Sequence, residues 1–289
     1  MRSCFATFFF LASVFLIGPA HAAQMRVGDV TLHYVQAGPA TAKTLVLIPG
    51  WSCASGVWRR QIDYFSKTMH VVAIDPRSQG ESGKTADGNT PLQRARDYEA
   101  VFAALKLNDM VLVGWSQGVQ DVASYIDQFG TKRLRGTVLV DASVSRGSAA
   151  VSANPKFVQT LLGGIDIYAK HKRDYLEGMM HAIFTVKMSD ADFNSLVDTG
   201  MRTPTDTGIA ELNADMLGAD LTPALSRFDV PTLVVASAKS FELAEQKAEA
   251  AQLPHGSFVQ IEQAGHGVFV DRPDAFNRAL DTFIAALPG

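Results

Sequence analysis

The chain is poor in cysteine, with Cys4 and Cys53 the only two in 289 residues. It also has no cluster of basic residues. A formal charge of −3 leaves no electrostatic footprint for nucleic acid. No G-x-G-x-x-G follows the first strand-like run, and neither a P-loop nor an H-E-x-x-H occurs, so no cofactor and no metal is expected. There is no internal repeat and no low-complexity tract. The N-terminal apolar run, Cys4 to Gly18, is 15 residues long, short for a membrane span, and Gly18-Pro19 ends it.

That run has another reading. Arg2 supplies a positive start, Cys4 to Gly18 an apolar centre, and Ala20-His21-Ala22 a small-residue cleavage site, so residues 1–22 are expected to be a signal peptide cut near Ala22. The expected mature chain is exported, periplasmic or secreted, with no stable membrane span. It would keep Cys53 alone and form no internal disulfide.

What remains is an ordinary globular composition, 47% hydrophobic and 19% charged, enough for a sizeable core. Short apolar runs rich in β-branched residues (Thr44–Ile48, His70–Ile74, Met110–Val113, Arg135–Val140, Val230–Ala236, Ser257–Ile261) predict buried strands. Between them, apolar residues at helical spacing predict helices over Val57–Phe65, Leu92–Leu107, Val119–Phe129, Phe241–Ala251 and Asp274–Leu287. Gln24–Val30 and Thr31–Gln36 predict a strand pair about Gly28-Asp29. Strands alternating with helices imply an α/β fold, a mostly parallel central sheet with helices on both faces. The alternation stops between 143 and 227. Amphipathic stretches such as Phe157–Leu162, Tyr168–Val186 and Asp190–Met201 predict a helical lid inserted after the sixth strand. The expected division is 1–22 signal peptide, 23–142 with 228–289 core, and 143–227 lid.

One stretch carries chemistry. Between a predicted strand and a predicted helix lies Gly114-Trp115-Ser116-Gln117-Gly118, a G-x-S-x-G pentapeptide. So tight a strand-to-helix turn strains its central residue and lifts the Ser116 hydroxyl clear of the sheet, above the helix N-terminus. A serine hydroxyl needs a base within hydrogen-bond reach. His266, in the glycine-flanked loop Ala264-Gly265-His266-Gly267 after the last strand, is the candidate. The other histidines have no comparable placement. The main-chain N–H groups of Trp51 and Gln117 fit the donors that a developing oxyanion requires. Asp141, ending the sixth strand, reaches the same sheet end, where open α/β sheets bind ligands.

These segments resemble the α/β-hydrolase fold family over essentially all of the mature chain. LIPGWSCASGVW resembles its oxyanion loop, IDPRSQGESG the loop after the next strand, VLVGWSQG the nucleophile elbow, and QAGHGVFVDRPDAFNRALDTFI the histidine loop and last helix. Val119 stands where relatives often carry a second glycine, and Pro49 where histidine is commoner. Many relatives place the triad carboxylate after the strand equivalent to PTLVVA. Here that loop, Ser237 to Glu242, has no aspartate. RGTVLVD resembles a dehalogenase subgroup that carries the acid at the position of Asp141, so the resemblance implies a Ser116–His266–Asp141 triad, with Glu242 as the rival acid. It implies an exported serine hydrolase cleaving a small carboxylic ester, with Trp51 and Gln117 as oxyanion donors. Lactone or carbon–carbon bond hydrolysis, perhydrolysis, and a slow-turnover receptor remain alternatives. The serine nucleophile disfavours dehalogenase and epoxide hydrolase chemistry, and the oligomeric state is left open.

Overall fold

The computed structural model describes residues 20–149, 155–218 and 220–288. Among them are eight strands: β1 (His21–Val27), β2 (Val30–Ala37), β3 (Thr44–Ile48), β4 (His70–Ile74), β5 (Met110–Trp115), β6 (Leu134–Val140), β7 (Thr232–Ser237) and β8 (Gly256–Ile261). Helices α1 (Arg59–Phe65), α2 (Pro91–Ala104) and α3 (Gln117–Phe129) connect them up to β6. Four more, α4 (Pro155–Lys170), α5 (Lys172–Ile183), α6 (Asp190–Met201) and α7 (Thr205–Asn213), lie between β6 and β7. Helices α8 (Leu243–Gln252), α9 (Val268–Asp271) and α10 (Pro273–Ala286) complete the chain.

The strands form one sheet in the order β1-β2-β4-β3-β5-β6-β7-β8. β1 and β2 pair antiparallel with their neighbours, and every pairing from β4 to β8 is parallel. β3 to β7 are buried along their whole length, which explains why each reads as a continuous apolar run rather than an alternating one. Alternation survives in which core each side chain joins. Val46, Val72, Leu112 and Val234 point to the face covered by Tyr98 and Phe102 of α2, Val122 and Ile126 of α3, and Ala250 of α8. Leu45, Val71, Val111, Val113 and Val235 point to the opposite face, covered by Ile62 and Phe65 of α1 and Phe276 and Leu280 of α10. Two-residue strand periodicity thus builds two cores, one on each side of the sheet.

The elements match the sequence expectation with boundary shifts of a few residues. β1 starts at His21 rather than Gln24, pairing His21 with Gln36 and Ala22 with Val35. The expected signal peptide falls mostly on residues outside those described, and its cleavage point falls within this strand. The front of the expected first helix is a 3₁₀ turn, Ser55–Trp58, that seats Trp58 against Phe269 with ring centroids 3.8 Å apart. The expected helix Tyr168–Val186 is broken. His171, at φ −137° and ψ 55°, leaves the helical region and separates α4 from α5. The helical insertion after the sixth strand is present, and α6 coincides with its expected range. It also holds α7 and a π-helical turn, Ala214–Gly218, that periodicity did not pick out. Among the described residues no helix is long and apolar enough to cross a membrane.

Candidate active site

β5 runs straight into α3, with one residue between them. That residue, Ser116, takes φ 56° and ψ −117°, the strained conformation the turn demands. Both flanking glycines are required by space. A Cβ at Gly114 would collide with the Gly118 carbonyl, and one at Gly118 would come within 2.8 Å of the Ile48 carbonyl oxygen. A Cβ on Gly50 would lie 3.0 Å from that of Ser116, so the loop after β3 also passes close to the elbow. The Ser116 N–H donates to the Val140 carbonyl at 3.1 Å, locking the turn to β6. Val119 is wholly buried, so the residue that replaces the customary second glycine packs in the core.

Parallel strands β6, β7 and β8 end side by side, and this brings the other residues in. Asp141 follows β6 at φ 50° and is 1% exposed. One carboxylate oxygen accepts the Ser237 N–H at 2.6 Å, and the other stands 2.8 Å from His266 Nδ1. Ser237 in turn donates its hydroxyl to the Ala264 carbonyl at 2.6 Å, tying the end of β7 to the histidine loop. Trp115 Nε1 donates to the His266 carbonyl at 3.0 Å, with the two rings 5.3 Å apart. Ser116, His266, Trp51 and Gln117 all line one cavity of about 220 Å³, to which Leu212 and Met216 of the insertion also contribute. Ser116 and His266 face the same space, and among the described residues no hydrogen bond joins them. Such bonds are often loose before substrate arrives.

Gln117 is the first residue of α3, so its N–H has no carbonyl within the helix to bond. Trp51, 8% exposed, sits in the turn after β3 that is closed by the Cys53 N–H on the Gly50 carbonyl at 3.1 Å. Its indole donates to the Gly208 carbonyl at 3.0 Å and packs, tilted by 56°, against Tyr168 with centroids 5.0 Å apart, so the same residue seats α7 on the loop.

The rival acid, Glu242, has a main-chain partner of its own. Glu242 faces the cavity, but its carboxylate accepts the Ser143 N–H at 3.0 Å, and burial holds its pKa above the ordinary glutamate value. The next two amides are capped the same way, Val144 by Glu249 at 2.7 Å and Ser145 by Gln120 at 2.7 Å. Three side chains from elsewhere thereby pin the loop that leaves Asp141. Burial pushes the Glu249 carboxyl up to about 8. The glycines beside His266 are required by space rather than by backbone conformation, since Gly267 has φ −85°. A Cβ there would drive into the Phe184 ring, and one at Gly265 would lie 2.8 Å from the Ile183 carbonyl. They make room for the insertion.

Asp75 ties down the loops after β3 and β4: it accepts the Ser55 N–H at 2.7 Å and the Glu81 N–H at 2.9 Å. It also pairs with His33 at 2.9 Å, beside a separate cavity of about 370 Å³ that shares no lining residue with the first. Among the described residues no group of three His, Cys, Asp or Glu side chains is placed to hold a metal.

Sequence reasoning missed a buried network under the elbow. Gln117 Oε1 accepts from Gln79 Nε2 at 2.5 Å, and Gln117 Nε2 donates to Asp215. Asp215 accepts from Arg94 Nη2 at 2.5 Å, and Arg94 Nε donates to Asp121 at 2.8 Å. Burial raises the Asp215 pKa and pushes Asp121 up to about 6, against the pull of Arg94. One signal was available. Arg94 shares a helical face with Tyr98 and Val101, and an arginine on a buried face needs a buried acid.

The alpha/beta hydrolase family model matches residues 45–279, most of the chain. The chain belongs to this family. Among curated relatives, a non-heme chloroperoxidase from Burkholderia pyrrocinia is 34% identical over 117 residues, 39% of this chain and 42% of that one. A bifunctional esterase/perhydrolase from Acinetobacter calcoaceticus is 25% identical over 88% of this chain and 96% of its own. Among solved structures, an esterase from Exiguobacterium antarcticum superposes with a TM-score of 0.79 at 19% identity, covering 92% of this chain and all of that one, which speaks for the fold alone.

Proposed function

We propose that this family member is a serine hydrolase that cleaves a small carboxylic ester through an acyl-enzyme. Ser116 attacks the ester carbon. His266 takes the hydroxyl proton and passes it to the leaving alcohol, then activates water to release the acid. Asp141 accepts the proton-bearing Nδ1 of His266 and stabilises the imidazolium that forms. The Trp51 and Gln117 N–H groups face the oxyanion. The observation that carries this reading is the 2.8 Å Asp141–His266 contact opening on the same cavity as a serine held at φ 56°. A cavity of about 220 Å³ favours a short acyl or alcohol group.

Perhydrolysis is a second reading, favoured by the esterase/perhydrolase name of a relative aligned over nearly its whole length. It differs only in that hydrogen peroxide rather than water receives the acyl group. We further propose that the chain is exported, on the strength of its N-terminal pattern. Steady turnover of p-nitrophenyl acetate or butyrate, lost in Ser116→Ala, is the expected result. Saturable binding of the ester without turnover would favour a receptor and overturn the proposal.

A further inference from the structure

The two carboxylate oxygens of Asp215 are both engaged, one by the Gln117 side chain and one by Arg94. Asp215 lines the cavity beside Ser116, yet both of its oxygens are already hydrogen-bonded within the protein. Its place in the chain is equally telling. It sits in the π-helical turn of the insertion, whereas Gln117 opens α3, Arg94 belongs to α2 and Gln79 to the loop after β4. Two segments, the insertion through Asp215 and the loop after β4 through Gln79, therefore meet on the side chain of the residue whose main-chain N–H is proposed to meet the oxyanion, with Arg94 of α2 behind Asp215.

The convergence is buried. Asp215 is 3% exposed, Gln117 5%, and Arg94, Gln79 and Asp121 1% or less. Arg94 faces Asp121, Asp215 and Glu211, with Tyr98 donating to Asp121 at 2.8 Å and the Lys84 charge also acting on Glu211. Glu211 has neither carboxylate oxygen hydrogen-bonded, and burial pushes it up to about 8, so it stays protonated at neutral pH. Arg94 is then left to Asp121 and Asp215. A buried ion pair of this kind adds little net stability over an apolar filling, but it fixes geometry where an apolar filling would not.

We propose that Asp215 is a positioning residue: held by Arg94, it clamps the Gln117 side chain from the cavity side while Gln79 clamps it from the other, so that the helical insertion itself fixes the first turn of α3 and aims its N–H at the oxyanion. This rests on the serine-hydrolase reading. An N–H at a helix start has no partner to hold its direction, and a side chain whose terminal amide is held through both its oxygen and its nitrogen restricts the residue that bears it. Such a donor contributes in the transition state rather than to ground-state binding. Loosening it lowers kcat and leaves KM nearly unchanged.

The test uses the full chain with p-nitrophenyl butyrate. Gln117→Met keeps the N–H and the Arg94–Asp215–Asp121 pairing and cuts the two side-chain bonds, and circular dichroism with a melting curve establishes that each variant is folded before its kinetics are read. Asp215→Ala, which leaves no acceptor for Gln117 Nε2, removes one of them from the other end. Each is expected to lower kcat by about 10–100-fold with KM within about threefold, and the double variant to be no worse than the poorer single one. Inhibition by phenylboronic acid, which forms a tetrahedral anion on the serine, should weaken in step with kcat. Full kcat in Gln117→Met, a change in KM alone, or losses that multiply in the double variant overturns the clamp. A wild type with neither turnover nor labelling of Ser116 would fell the serine-hydrolase reading, and the clamp with it.

Discussion

Asp141 takes φ 50°, an uncommon conformation for a residue with a side chain, and its two oxygens are committed to the Ser237 N–H and to His266 Nδ1. Asparagine in its place would keep the shape but turn a donor toward one of these two donors. Asp141→Asn is therefore expected to lower kcat by about 10²–10⁴-fold at neutral pH with the fold intact by circular dichroism. Glu242→Gln keeps an acceptor for the Ser143 N–H and should stay within a few-fold of wild type. The reverse pattern in kcat would move the acid to Glu242. Ser116, His266 and the backbone donors were legible because each lies in a short motif beside a readable strand. The choice of acid was not settled by the sequence, since what distinguishes Asp141 from Glu242 is which amide or imidazole each carboxylate meets. Those partners lie 125 and 99 residues away.

At the scale of elements, the sheet was readable because buried parallel strands are short apolar runs with turn residues between them. The insertion was readable only as helical. Its register on the core depends on contacts such as Trp51 with Gly208, and on space left by glycines rather than on any periodicity. Gly267 tests that argument. A methyl group there strikes the Phe184 ring, which is 5% exposed and cannot turn away into solvent. Gly267→Ala is expected to cost about 1–3 kcal/mol, lowering Tm by several degrees, as overpacking generally does. Adding Phe184→Leu should restore part of the loss. If the single variant melts with the wild type, the glycine serves flexibility after all.

For the molecule as a whole, the network that joins the insertion to the core also links stability to pH. The Glu211 carboxyl, raised by burial from 4.5 to about 8, keeps its proton in the folded chain through a range where the unfolded chain has lost it. Its contribution to stability therefore falls as pH rises from about 4.5 to 8 and levels off above. Glu211→Gln, which cannot ionise, should match the wild type near pH 4.5 and exceed it at pH 8.5 by roughly 1–3 kcal/mol in urea unfolding. An advantage that is the same at both pH values would show that Glu211 is already ionised when folded. The central claim, that Ser116 is the nucleophile of a serine hydrolase, is tested most directly by treating the full chain with a fluorophosphonate and mapping the adduct by peptide mass. The account requires a single adduct on the peptide that carries Ser116, absent from Ser116→Ala and slow to form in Asp141→Asn. An adduct on a different serine, or none on a preparation that turns over esters, would contradict it.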